Sequence, residues 1–178
     1  MLQDIAMYIL DIANNSIQAK AQNIQINVKD SKKENMVLIS IQDDGCGMDQ
    51  EQLHQVTNPF YTSRTTRKIG LGVSLFKELA ERCNGSFLIQ SEKGNGTFIQ
   101  AELERTHWDV PPMGNLSEML VTLIQADQTI EYQFHYLTDQ KEFFLDTVEI
   151  KKVLEGVSLI EPSILLWLKD YIGEGLTL

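Results

Sequence analysis

Nothing in this chain is apolar for long enough to span a bilayer, which takes about 20 residues, and its first ten residues lack the basic start of a secretory leader. Cysteine is scarce. Cys46 and Cys83 stand alone, which excludes a disulfide scaffold and fits free thiols in a reducing compartment. Neither they nor His54, His107 and His135 have the spacing of a zinc cage. These absences lead us to expect a cytoplasmic protein. Basic residues are few as well: 15 against 25 acids, for a net charge of −10. The deficit lies mostly after residue 105, where 12 acids face 4 bases, against 13 and 11 before it. So acidic a tail argues against nucleic acid or an anionic membrane as partner. Of only four prolines, two are adjacent, Pro111 and Pro112, and they break any helix or central strand at the point where the composition shifts. We therefore expect two domains, 1–107 and 108–178.

Other signatures are missing too. There is no Walker P-loop, no Gly-x-Gly stretch continues into a dinucleotide fingerprint, and the glycine-rich and catalytic loops of eukaryotic-type protein kinases are absent. What the chain does have is one stretch without acids, from Gln52 to Lys77, which holds Arg64, Arg67, Lys68 and Lys77. Its centre, Asn58-Pro59-Phe60-Tyr61-Thr62-Ser63, reads as a loop, and Gly70-Leu71-Gly72 closes it. Val73, Phe76, Leu79, Ala80 and Cys83 then recur at helical spacing up to Gly85. A basic, hydroxyl-rich loop that ends in glycines at a helix start suits a phosphate group, because backbone N–H groups and the positive helix end both face the anion. A surface loop with a solvated charge run is the plainer reading.

Ahead of that loop, Ile5, Tyr8, Ile9, Ile12, Ala13 and Ile17 mark a helix over about 2–19. Asn14-Asn15-Ser16 lies inside it, although such residues favour caps and turns. Asp11 and Asn15 are four apart and project together, so they can handle a hydrated Mg²⁺ or orient a water, or simply form an exposed polar face. Two strands follow, Ile24 to Val28 and Met36 to Gln42, the second running into Asp43-Asp44-Gly45-Cys46-Gly47. Glycines after a strand mean close approach to a ligand or to another backbone. Asp49 with Gln52 forms a capping box. A hairpin is expected from Ser86 to Ser91 and Thr97 to Glu104, around Glu92-Lys93-Gly94-Asn95-Gly96. Beyond the prolines the pattern is α-β-β-α-α: Asn115 with Glu118 caps a helix, Ile130, Tyr132, Phe134 and Tyr136 alternate, Asp146 caps a short helix, and Pro162 starts the last one.

In that order, Asp11-x-x-x-Asn15-Ser16, Asp43-x-Gly45-x-Gly47, Asn58-Pro59-Phe60 leading to Gly70-Leu71-Gly72, and Gly94-x-Gly96-Thr97 resemble the GHKL ATPases, the superfamily of gyrase B, the heat-shock chaperone ATPases, sensor histidine kinases and MutL. The stretch 58–103 looks most like the catalytic domain of a bacterial histidine kinase. The resemblance covers about 1–105. It implies an α+β fold, a GHKL two-layer α/β sandwich with a mixed sheet backed by helices, followed here by the small C-terminal α-β-β-α-α module. It also implies ATP and Mg²⁺ as cofactors. Asn15 would reach the metal and the phosphates, and Asp43 would take the adenine amino group with support from Thr97. Gly45 and Gly47 would admit the base, and Gly70, Leu71 and Gly72 would lie under the phosphates. Asn58, Arg64, Arg67 and Lys68 would belong to a short lid. Asp11, the candidate catalytic residue, stands where hydrolytic members carry Glu and histidine kinases usually carry Asn. The sequence before the first helix leaves no room for a dimerising helix pair with a phosphorylatable histidine, so a free-standing kinase acting on a partner protein is expected. A weak ATPase or ATP-gated switch, and a non-catalytic nucleotide-binding scaffold, are the alternatives. Similar short proteins suggest iron-hydrogenase-associated proteins as partners.

Overall fold

Alternation of apolar and polar residues decides the sheet. In β1 (Asn23–Ser31), Ile24, Ile26 and Val28 face one way, and in β2 (Met36–Asp43), Val37, Ile39 and Ile41 do the same. All six are buried, and each such side chain is worth roughly 1.5–3 kcal/mol. The structure is a computed structural model and describes residues 2–57 and 72–177. Met1, residues 58–71 and Leu178 lie outside the described residues.

Helix α1 (Ile5–Gln18) starts at Asp4, whose side chain accepts from the Met7 N–H. Helix α2 (Gln50–Val56) carries both halves of the capping box between Asp49 and Gln52. Helix α3 (Gly72–Arg82) buries Val73, Phe76, Leu79 and Ala80, and leads into the hairpin of β3 (Ser86–Ser91) and β4 (Thr97–Glu104). Next come α4 (Leu116–Ala126), capped by Asn115, then β5 (Glu131–Thr138) and β6 (Glu142–Asp146). Helix α5 (Thr147–Val153) follows directly from its cap Asp146, and α6 (Pro162–Thr177) ends the chain. Among the described residues no helix is long and apolar enough to cross a membrane.

The six strands form one sheet in the order β3-β4-β2-β1-β5-β6. It is mixed: β5 runs parallel to β1, with Ile26 opposite Phe134, and every other pair is antiparallel. Packing of α3 on α1, α1 on α4 and α4 on α6 makes the helical layer. Tyr8 of α1 stacks on Phe76 of α3 with ring centroids 5.8 Å apart. The α-β-β-α-α order expected after residue 108 is present, and it continues the sheet and core of the first half. β5 and β6 extend the first sheet, and Leu120, Leu123, Phe134 and Leu168 belong to the same buried core as Ile9 and Ile39. The physical reason is that β1 has an open edge until β5 fills it. The linker is also fixed, because the Ile5 and Ala6 N–H groups donate to the carbonyls of Pro112 and Met113 at 2.9 and 3.0 Å.

A second tie joins the β1–β2 turn to the β5–β6 turn beside it. The Asp139 carboxylate accepts from Ser31 Oγ at 2.6 Å and from the Lys32 and Lys33 N–H groups at 2.8 and 3.0 Å. The Ser31 hydroxyl, ahead of the backbone donors, holds the Asp139 carboxyl below the usual carboxylate range. A depressed folded-state pKa stabilises the fold above the ordinary aspartate value and loses that effect as pH falls through the folded one. Thermal melts should therefore show Asp139→Ala less stable than wild type at pH 7, with the gap closing as the pH drops below about 4. A gap that stays constant with pH would mean that the tie does not act through the carboxylate.

Candidate functional site

The polar residues inside α1 have a structural reason. Ser16 is buried at 2% exposure, and its hydroxyl donates to Asp43 Oδ2 at 2.6 Å. Asp43 is the last residue of β2 and is 9% exposed. Its Oδ1 accepts from the Gly45 N–H at 2.9 Å. Both groups facing the carboxylate are therefore donors, and they fix it as an acceptor aimed at one place. That place is a cavity of about 360 Å³ between α1, α2, the start of α3 and the sheet. Ile12, Ile41, Met48, Val56, Val73 and Ile99 give it apolar walls, with Asp43, Asn15 and Thr97 as polar points. Asn15 Nδ2 is buried without a hydrogen-bond partner, alone in this respect among the described residues. An unpaired buried amide costs about 1–3 kcal/mol, so a ligand that supplies its partner recovers that cost.

The loop after β2 owes its shape to close contacts. Gly47 has φ +60°, and a side chain there would collide with the Glu92 carbonyl oxygen. Gly96, at φ +81°, packs in the same way on the Asp43 carbonyl. The Gly94 N–H donates to the Cys46 carbonyl at 2.8 Å, and the Met48 N–H donates to Ser91 Oγ at 2.9 Å. Gly45 sits against Ala19 at the end of α1. These glycines thus lock β2's loop to α1 and to the β3–β4 turn, and Gly47 also borders the cavity. Asp44 turns away and accepts from the Gln22 and Asn23 N–H groups at 2.7 and 2.9 Å. Burial pushes its carboxyl up, but the Asn23 amide and those backbone donors outweigh it and hold it below the usual range.

Of the residues singled out from sequence, Asn15, Asp43, Gly47 and Thr97 line one cavity. Gly45 hydrogen-bonds Asp43, and Gly72 opens α3 at the cavity's side. Asp11, one turn before Asn15, has its carboxylate directly against Gly72, where a Cβ would overlap it. Asn58, Arg64, Arg67, Lys68, Gly70 and Leu71 lie outside the described residues. Thr97 is the register partner of Asp43, but its hydroxyl is 2.9 Å from Ser91 Oγ, and the side chain that holds Asp43 is Ser16. The signal for Ser16 was its place in the helix interior, beside Asn15. No cluster of three His, Cys, Asp or Glu side chains occurs among the described residues, so a cation here would rest on Asn15 together with oxygens of the ligand and water.

The model of the histidine kinase-, DNA gyrase B-, and HSP90-like ATPases matches residues 3–107, and the chain belongs to that family. Its ATP-binding domain is similar to those of histidine kinases. Sporulation kinase C of Bacillus subtilis (strain 168) is 31% identical over 53% of this chain and 22% of that protein. Sporulation kinase E of the same organism is 32% identical over 53% of this chain and 13% of that one. The chain thus spans less than a quarter of either relative. Among solved structures, the N-terminal domain of a DNA repair protein aligns with a TM-score of 0.52 and 14% identity over 82% of this chain and 53% of that one. This likeness of fold reaches past residue 107.

Proposed function

We propose that this protein binds ATP with Mg²⁺ and passes the γ-phosphoryl group to a partner protein. The observation that carries the reading is the cavity itself, apolar-walled, with the fixed acceptor Asp43 and the unpaired Asn15 amide among its lining residues. Adenine has an amino donor on its edge and apolar faces, which suits Asp43 between Ile41, Met48 and Ile99. Asn15 would hold the metal and phosphates. Asp11, against the start of α3, would orient the attacking hydroxyl and take its proton while the terminal P–O bond to ADP breaks. A carboxylate at that position favours chemistry over passive binding.

A second reading has its own support. α1 carries Asp11 and Asn15, and its first N–H groups are held by Pro112 and Met113. A nucleotide that shifts α1 would move the linker and α4, which suits an ATP-gated switch. Calorimetry with ATP, with and without Mg²⁺, tests the common premise. Asn15→Ala should weaken Mg-ATP binding by roughly 10- to 100-fold, the size of a lost hydrogen bond to a charged group. Unchanged affinity in that variant would remove Asn15 from the site. Incubation with γ-labelled ATP and candidate partners then separates transfer, in which label appears on protein, from hydrolysis, in which it appears as phosphate.

A further inference from the structure

The outer side of α6 is apolar where solvent should favour polar groups. Leu166 is 63% exposed, Trp167 46% and Tyr171 42%. At 3.6 residues per turn these three share one arc of the helix with Asp170 and Glu174, while the buried Leu168 and Ile172 point the other way into the core. The Trp167 and Tyr171 rings stack with centroids 5.2 Å apart and an interplanar angle of 14°, and Tyr171 also contacts the Phe143 ring at 5.8 Å. The aromatic pair is therefore pre-set, with little side-chain freedom left to lose on binding. No base lies on this arc. The nearest one on the helix, Lys169, is turned to Glu118 of α4 at 2.7 Å.

We infer that this face of α6 docks a basic amphipathic helix of a partner protein. Trp and Tyr dominate binding energy where they cluster at the centre of a patch, and an apolar helix face laid across such a patch is a recurrent mode of recognition. Charge selects the occupant. Asp170 and Glu174 interrupt the apolar arc, and the segment from residue 106 onward carries 12 acids to 4 bases. A second copy of the chain would bring the same acids against these, and an anionic membrane would be repelled. Lysines or arginines that flank an apolar stripe would pair with the two acids and stack on Trp167. The site lies on the outermost helix, beyond α4 and α1, so it leaves the nucleotide cavity free, and the inference stands apart from the reading given above.

The test uses the full chain in calorimetry at physiological salt. The probe is a short helical peptide of leucine and lysine with its leucines on one face, paired with a twin in which glutamate replaces lysine. The lysine peptide should bind and the glutamate twin should not. Trp167→Ser should weaken binding by roughly 30-fold, the size of a hot-spot truncation. Asp170→Asn with Glu174→Gln should weaken it less and flatten its dependence on salt. Melting temperature and ATP affinity should not change, which shows that the variants are folded. If Trp167→Ser proves unstable, Leu166→Ser, at the more exposed position, takes its place. Failure of the lysine peptide to bind overturns the inference, as does equal binding by the serine variants, which would reveal attraction to charge alone. Trp167-dependent self-association in sedimentation would assign the face to a second copy and overturn it as well.

Discussion

Asp43→Ala should abolish the preference for ATP over GTP, which in the wild type is expected on the order of 10⁴ in affinity. The basis is geometric. Ser16 and Gly45 both donate to the carboxylate, so its remaining lone pairs can only accept. They meet the amino group of adenine, whereas the carbonyl oxygen of guanine at that edge would face another acceptor, buried and unpaired. Asp43→Asn is the sharper variant. Its oxygen can keep the Gly45 N–H and its nitrogen can donate to Ser16 Oγ, which leaves the second N–H pointing into the cavity. That variant should fold and should shift its preference toward GTP. Calorimetric titration of both nucleotides against the three proteins decides the matter. Equal affinities in the wild type would sink the assignment of Asp43 to the base.

The second large effect concerns turnover. Asp11→Asn keeps the size and shape of the side chain and removes the carboxylate, so ATP affinity should change little while phosphoryl transfer or hydrolysis falls by roughly 10²–10⁴. Asp11 lies against Gly72, the first residue of α3, where the positive end of the helix favours a carboxylate. The same placement supplies the rival explanation, in which Asp11 serves only the stability of α3. The two separate cleanly in measurement. A lower melting temperature with wild-type turnover leaves Asp11 as a helix-end anion, and lost turnover at an unchanged melting temperature assigns it to the chemistry.

Local rules in the sequence reached far. Asp49 with Gln52, Asn115 and Asp146 cap the helices where their spacing to the next polar residue says they should, because a cap depends only on its own turn. The stripe Val73, Phe76, Leu79, Ala80 is buried as its period requires. The alternation of Tyr132 and Phe134 marks β5, yet nothing in that alternation names the strand beside it. Pairing with β1 is a matter of which edge is open, a property of the whole sheet. For that reason a tail of different composition read as a separate unit. In the site, the motif order brought Asn15 and Asp43 together. Ser16 escaped notice as Asp43's support because its partner is 27 positions away, and a hydroxyl inside a helix announces only that something unusual is near. Gly47 signalled close approach and Gly96 a turn, and what both meet is the chain's own backbone.

The parallel pairing of β1 with β5 also sets a timetable for synthesis. Asn23 leaves the ribosome about a hundred residues before Glu131, its neighbour in the sheet, and contacts this distant in sequence form late. Until β5 emerges, a chain with β1, β2 and β4 already joined carries an uncovered row of N–H and C=O groups along β1. The nascent protein is then a template for any other extended strand, and the ATP-binding half should be the more prone to aggregate when it is expressed without the tail. The segment after 108 thus supplies the first half of the chain with a built-in closing strand, β5, delivered after the strands it covers.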